Sequence, residues 1–242
     1  MSDTYLHLEH DGKLLLVNNE GGGPMRPVKG KLISENSRGW DIRLPTTEET
    51  IKLGINWTEK RRNNIRFGTN EFEVIYGIPN VEWPENWAWK DNVISDSSVH
   101  PLARESVYRT LHRLVSKVII PNDKGKILLA KVKRGFFTGM WTLPGGYIDY
   151  EEHPKKGAIR EVFEEIGIKI EISNPKNVIS QKIFTDEGIN FVSFTYLAKE
   201  VDENINYKLK DDEIEDVCWF SKDEAISKAA SWFDLEAIEK LL

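Results

Sequence analysis

Residues 141–168 read Trp141-Thr-Leu-Pro-Gly-Gly-Tyr-Ile-Asp-Tyr-Glu-Glu-His-Pro-Lys-Lys-Gly-Ala-Ile-Arg-Glu-Val-Phe-Glu-Glu-Ile-Gly-Ile168. The second half of this stretch carries the punctuation of one helix. Pro154 suits the first helical position, where no amide donor is needed, and Gly167 suits the position just past the end, where a left-handed residue closes the helix. The spacing predicts a helix over about 154–166. Ile159, Val162, Phe163 and Ile166 recur at i, i+3, i+4 and i+7 and form its expected buried stripe. On another face Glu161, Glu164 and Glu165 sit at i, i+3 and i+4, so three carboxylates emerge within one turn and repel one another. A solvated acidic face is the plain reading of such a trio. The chemical reading is a site for hard divalent cations, which take carboxylate and carbonyl oxygens at about 2.0–2.6 Å. Just upstream, Leu143-Pro144-Gly145-Gly146 is a tight loop whose glycines let the backbone approach a ligand closely and aim a carbonyl at the same place.

Outward from this stretch, Val115 to Ile120, Pro121-Asn-Asp-Lys-Gly125 and Ile127 to Val132 spell strand, turn, strand, with Arg104 to Leu114 as a lead-in helix. A linker is expected at Ser95-Asp-Ser-Ser-Val-His-Pro101, where small polar residues and a proline interrupt any pattern. Further upstream, Tyr5 to Val17 reads as a hairpin around Asp11-Gly12. Strand-like pieces follow at Lys31–Ser34, Trp40–Leu44 and Glu71–Gly77, with a short helix over 47–53 capped by Thr46 or Thr47. Ile78 to Lys90 holds two prolines and three tryptophans and reads as an ordered aromatic loop, either packing a small core or offering a stacking platform. Five of the eight tryptophans (Trp40, Trp57, Trp83, Trp87, Trp89) lie in the first 100 residues. The expected organisation is a β-rich, Trp-rich domain over 1–103 and a second domain over 104–242.

The composition of the 242 residues, 40% hydrophobic and 30% charged, is that of a globular chain able to bury a core without cross-links. Cys218 is the single cysteine, which excludes an internal disulfide and a cysteine-cluster zinc site and fits a reducing cytoplasm. No apolar run is long enough to span a membrane, and the polar start Met1 to Thr4 leads to the expectation of a soluble chain without a targeting leader. The net charge of −6 argues against duplex nucleic acid as a partner. Gly21-Gly22-Gly23 and Gly30-Lys31 lack phosphate-loop spacing, Cys218 sits in a strand pattern as a packed thiol, and the five histidines show no metal spacing beyond His7 and His10, which a hairpin surface explains.

Gly146, five residues, Glu152, seven residues, then Arg160-Glu161-Val162-Phe163-Glu164-Glu165-Ile166-Gly167-Ile168 resembles the Nudix box at every fixed position. The resemblance to a whole Nudix domain runs from about Arg104 to Leu242; the first 100 residues carry none. It implies an α/β fold, an α/β/α sandwich with a mixed sheet, and a metal-dependent hydrolase acting on a nucleoside diphosphate linked to another group. By that resemblance Glu161, Glu164 and Glu165 would bind Mg2+ or Mn2+ with the Gly146 carbonyl as a further ligand. Arg160 would orient the acidic cluster, and Glu152 would support the loop.

The general base is open among Glu161, Glu187, Glu213 and Glu215. Arg134, Phe136 and Phe137 precede the glycine loop and are candidates to contact phosphate and stack on a base. Subfamily signals downstream of the box depart from known patterns: Ser180-Gln181 is followed by Lys182-Ile183-Phe184 rather than a proline-tryptophan run, and Pro175 is too close to the box. ADP-ribose or a dinucleotide such as NADH, cleaved to release AMP, is the default substrate. A nucleoside triphosphate or a capped RNA 5′ end is the alternative, as is a nucleotide-sensing module without catalysis, though the intact box argues against the last. An isoprenoid diphosphate isomerase would need a cysteine near the active loop, and Cys218 is badly placed for that. The front domain would supply specificity or a homodimer contact.

Overall fold

The computed structural model describes residues 4–27, 40–67, 69–135, 137–172, 176–184 and 189–242. The chain divides into two compact units, Met1–Leu111 with Phe184–Ile189, and His112–Ile183 with Asn190–Leu242.

In the first unit, β1 (Thr4–His10) and β2 (Lys13–Leu14) form an antiparallel hairpin, Glu9 facing Leu14 and His10 facing Lys13. Asp11 and Gly12 have φ of 49° and 74°, the two positive values that a tight two-residue hairpin turn requires and that Asp-Gly tolerates. β3 (Val17–Asn18) pairs with β4 (Ile42–Arg43), and α1 (Thr47–Lys52) starts from a reciprocal Thr46–Glu49 capping box. The long antiparallel pair β5 (Trp57–Phe67) and β6 (Asn70–Pro79) joins the hairpin through a parallel β6–β1 contact, and β7 (Ala88–Trp89) closes the sheet in the order β5-β6-β1-β2-β7. The sequence pattern missed β5 because Glu59, Lys60, Arg62 and Arg66 load an edge strand with charge, leaving Asn63 and Ile65 as its buried residues. The expected strand at Lys31–Ser34 lies outside the described residues. In the aromatic loop Trp87 is buried, whereas Trp83 and Trp89 stand half exposed and hold the Lys13 ammonium 4.3 and 4.9 Å from their ring centres. That pair of rings already carries an internal cation.

α2 (Lys90–Ser95) and α3 (Pro101–Tyr108) complete this unit. The expected linker at 95–101 is instead tied to β4: the Ile42 amide donates to Ser98 O at 3.2 Å and the His100 amide to Ile42 O at 2.7 Å. α3, expected as the lead-in to the second domain, buries Leu102, Ala103 and Val107 in the core of the first, so the division falls at 111/112 rather than 103/104.

On β1, buried His7 bonds Ser106 Oγ at 2.9 Å through Nδ1 and approaches Glu9 at 3.3 Å through Nε2; Lys90 Nζ donates to Glu9 at 2.6 Å. Burial acts to raise the Glu9 carboxyl, but the bonds from His7 and Lys90 outweigh it and hold the pKa at about 2. A carboxylate depressed in the fold stabilises the fold above its unfolded pKa and loses that contribution as pH falls from about 4.5 to about 2. Glu9→Gln is therefore expected to cost about 1–2 kcal/mol at pH 6 in urea unfolding, with wild type and variant converging near pH 2.

In the second unit, β8 (His112–Ile119), β9 (Ile127–Val132), β10 (Trp141–Thr142) and β11 (Gly145–Tyr147) precede α4 (Pro154–Ile166). β12 (Asn177–Phe184), β13 (Ile189–Leu197), β14 (Ile214–Phe220), α5 (Lys222–Lys228) and α6 (Trp232–Leu241) follow. One sheet is mixed, in the order β11-β8-β13-β12 with β8 and β13 parallel, and the other is antiparallel, β10-β9-β14. Alternation along the strands feeds two cores. Val118, Ile120, Leu128 and Ala130 meet Ala158, Val162 and Ile166 of α4, while Ile119, Ile127 and Leu129 meet Ala225, Ala237 and Ile238 of α5 and α6. Helices thus cover both faces, an α/β/α sandwich.

α4 begins at Pro154, takes His153 as its cap and ends at Gly167 with φ 73°. Its buried face is Gly157, Ala158, Val162 and Ile166; Ile159 is only partly covered and Phe163 is 51% exposed, because the face toward the sheet is centred on the i, i+4, i+8 row of small and branched residues. Cys218 is exposed on β14, since strand alternation turns its neighbours Val217 and Trp219 toward the α4 core instead. Among the described residues no helix is long and apolar enough to cross a membrane.

Candidate active site

The glycine loop lies where β11 pairs with β8, Gly145 opposite Lys117 and Gly146 opposite Ser116. Gly145 has φ 140°, and a Cβ there would lie 2.1 Å from the Ser116 carbonyl oxygen; at Gly146 it would lie 2.5 Å from Glu161 Oε2. Side chains are excluded at both positions so that the backbone can lie against β8 and against α4.

α4 presents Glu161, Glu164 and Glu165 to this loop. Glu165 accepts the Gly145 amide at 2.9 Å, and burial, with the nearby Glu161 charge adding, pushes its carboxyl up to about 8. Burial also raises Glu161. Arg160 gathers the rest. It forks onto Glu152 through Nε at 2.9 Å and Nη2 at 2.8 Å, donates from Nη1 to Glu161 at 2.7 Å and Glu164 at 3.2 Å, and from Nη2 to Tyr147 O at 3.0 Å. Glu152, which also accepts the Asp149 amide, is held below the ordinary carboxylate range by that fork, and Arg160 is held firmly charged. Lysine has no planar fork to span four partners. Arg160→Lys is expected to lower kcat/KM about 10- to 100-fold in steady-state assays while the chain stays folded.

The site opens into a cleft of about 670 Å3 within the second unit. The cleft is lined by Gly146 and the three glutamates, together with Lys117, Arg134, Phe137, Phe191, Lys210 and Glu213 among others. Glu213 is gripped by Lys210 at 2.9 Å and by Arg134, which also reaches Asp212 at 3.0 Å; these cations overcome the effect of burial and keep its carboxyl low. Of the sequence candidates, Glu161, Glu164, Glu165, Arg160, Gly146, Arg134, Phe137 and Glu213 come together in this cleft. Glu152 acts beneath it through Arg160. Glu215 does not line it: it sits at the irregularity in β14 between Ile214 and Asp216, exposed, and pairs with Lys131 at 2.8 Å. Phe136 and Glu187 lie outside the described residues.

The sequence reading missed Lys117, Tyr147, Asp149, Phe191, Lys210 and Phe233. One signal was available: Lys117 is a lone charge within the apolar run Val115-Ser-Lys-Val-Ile-Ile120, and a charge buried in a strand needs a partner. The partner is Asp234 of α6, 117 positions away, so no local pattern could name it.

Among the described residues no three carboxylate, imidazole or thiolate groups yet enclose a space fit for an ion. Arg160 draws Glu161 and Glu164 to itself, and the Gly145 amide takes Glu165. The donor set nevertheless fits a hard divalent cation: three carboxylates within one helical turn, one of them buried enough to resist ionisation, beside a loop stripped of side chains at Gly146.

Fold and cleft together define an α/β/α sandwich with a helix-borne acidic cluster. The family profile described as NUDIX domain matches residues 111–241, more than half of the chain, and the chain belongs to that family. It is similar to a "MutT-like protein" of Streptomyces ambofaciens, 26% identical over 138 residues, which are 57% of this chain and 82% of that one. It is also similar to an NAD-capped RNA hydrolase, NudC, of Mannheimia succiniciproducens, 29% identical over 65% of this chain and 55% of that longer protein. An ADP-ribose pyrophosphatase of Methanocaldococcus jannaschii is 28% identical over 54% of this chain and 68% of its own length.

Proposed function

We propose that the cleft hydrolyses the diphosphate bond of a nucleoside diphosphate linked to another moiety, with ADP-ribose and dinucleotides such as NADH as the reference substrates and AMP as a product. The observation that carries this reading is the meeting of Glu161, Glu164, Glu165 and the Gly146 backbone with cations and aromatic rings in one cleft. The relatives named for NAD-capped RNA and for ADP-ribose support the substrate class. Glu161, Glu164 and Glu165, with the Gly146 carbonyl, would hold Mg2+ or Mn2+. Such ions neutralise diphosphate charge and lower the pKa of water so that it can attack phosphorus near neutral pH.

The chain's own contribution is positioning. Arg160 ties Glu161 and Glu164 to the loop, the α4 scaffold fixes the spacing of the trio, and Arg134 and Lys210 bring positive charge to the cleft. Glu161 and Glu213 are the candidate bases that line the cleft. The test is a product-resolved screen of ADP-ribose, NADH, dinucleoside polyphosphates, nucleoside triphosphates and capped RNA with Mg2+ or Mn2+. Cleavage that releases a nucleoside monophosphate and stops in excess chelator is expected. Turnover that persists in chelator, or no turnover across the whole panel, overturns the reading.

A further inference from the structure

Outside the cleft, α4 carries a second stripe. Lys156, Ile159, Arg160 and Phe163 recur at i, i+3, i+4 and i+7, and beyond the left-handed turn at Gly167 the chain sets Lys169 and Ile170 beside them. With Glu152 these residues line a groove of about 540 Å3 within the second unit. Periodicity assigns Ile159 and Phe163 to the buried face of α4, yet the first is only partly covered and the second is 51% exposed. The groove therefore has an apolar floor that faces solvent.

Its charges are disposed differently from those of the cleft. Arg160 has five N–H donors, and Glu152, Glu161, Glu164 and Tyr147 O take all five. The guanidinium has no donor left for the groove, which Arg160 walls with its methylene stem. The same fork engages Glu152, the one carboxylate among the lining residues. Lys156 and Lys169 remain: both are exposed, and neither makes an ion pair or a side-chain hydrogen bond among the described residues.

Each half of this lining is weak alone. An exposed ammonium holds a small inorganic anion poorly, because water screens the charge and competes for the donors. A neutral apolar molecule leaves both cations unanswered. A two-fold pairing of this face with the same face of a second copy would add two more lysines while Glu152 is already engaged. An organic anion with an apolar body answers both halves, and the groove's volume lies within the range of about 300–1,000 Å3 that holds one small molecule.

We propose that this groove is a second ligand site, beside the cleft, for a soluble organic anion. Its alkyl, acyl or aryl body would lie over Ile159, Phe163 and Ile170, and its phosphate or carboxylate would be held by Lys156 and Lys169. The test is calorimetric titration of the full-length protein with inorganic phosphate, with butyl, hexyl and octyl phosphate, with octanoate and with neutral octyl glucoside, each kept below its micelle concentration. Octyl phosphate and octanoate are expected to bind at least about tenfold more tightly than inorganic phosphate or octyl glucoside. Each added methylene should tighten binding about two- to fourfold, as partial burial on an open apolar floor requires.

Lys156→Gln combined with Lys169→Gln should weaken octyl phosphate about tenfold, and Phe163→Ser should flatten the dependence on chain length. All three side chains are exposed, so thermal melts of both variants should match the wild type. Affinities that ignore chain length mean an adventitious ion only, and affinities that survive both variants place the ligand elsewhere; either result overturns the proposal. Binding to vesicles of phosphatidylglycerol that is lost in the variants, with no binding of the monomeric alkyl phosphates, would make this face a membrane contact and overturns it as well.

Discussion

Glu164→Gln combined with Glu165→Gln is expected to reduce turnover by at least about 10³-fold while leaving a folded protein. The reasoning separates two roles that one carboxylate plays. In the fold, the Glu165 carboxylate accepts the Gly145 amide at 2.9 Å, its one hydrogen bond among the described residues, and glutamine's amide oxygen can accept it unchanged. Burial pushes the Glu165 carboxyl up to about 8, so its ionised form is a burden on the fold rather than a support. Glu164 is 45% exposed and accepts one bond from Arg160, the longest of that guanidinium's hydrogen bonds, at 3.2 Å. Neither substitution removes packing volume. The melting temperature of the metal-free variant should therefore equal or exceed that of the wild type. In catalysis the same change removes two of the three anionic oxygen donors from the cluster, and neutral amides cannot hold a hard divalent ion against water. Several kcal/mol of charge stabilisation at the diphosphate go with it. A double variant that melts like the wild type and turns over at more than about a tenth of its rate would show that the acidic face of α4 is merely solvated.

How much of this was legible in the sequence depends on how far apart the interacting residues lie. The helix, its Pro154 start and Gly167 stop, and the shared face of Glu161, Glu164 and Glu165 follow from a 3.6-residue period and could be read locally. The Asp11-Gly12 turn was equally local. β5 was hidden because an edge strand needs only one buried side, and Asn63 and Ile65 supply it among charged neighbours. Phe163 was assigned to the buried stripe because periodicity gives a face to within a residue or so; which flank of that face meets a sheet is decided by the sheet. The linker expected at 95–101 shows the same limit. Ser-, Asp- and Pro-rich composition signals an irregular backbone, but not whether that backbone hydrogen-bonds to Ile42 and carries α3 into the first core. In the site, the box residues were visible as a spacing. The rest of the cleft lining was not, because Lys117, Phe191 and Phe233 come from β8, β13 and α6 and meet only through the topology.

The adjacent glycines of the loop are expected to fail in opposite ways. For Gly145→Ala, the new methyl would sit 2.1 Å from the Ser116 carbonyl oxygen and 2.7 Å from Lys117 Cα, at a φ of 140° that residues with a side chain rarely adopt. Both obstacles are backbone, in the β8 strand that pairs with this very residue, so no rotamer change relieves them and β11 must separate from β8. The Gly145 amide would leave Glu165. A loss of at least about 3 kcal/mol in the unfolding of the second unit is expected, with activity falling as a consequence. For Gly146→Ala, the methyl would meet Glu161 Oε2 at 2.5 Å and Oε1 at 3.0 Å, the mobile end of a side chain that can swing away at modest cost. Swinging away, however, takes Glu161 off the Arg160 Nη1 bond at 2.7 Å and out of the acidic cluster. Gly146→Ala should therefore remain folded to within about 1 kcal/mol while kcat falls about 100-fold. Urea titrations of the two variants beside their kcat values give the comparison. If Gly145→Ala is as stable as the wild type, or if Gly146→Ala loses stability and activity in proportion, the loop is not divided into one glycine for the fold and one for the chemistry.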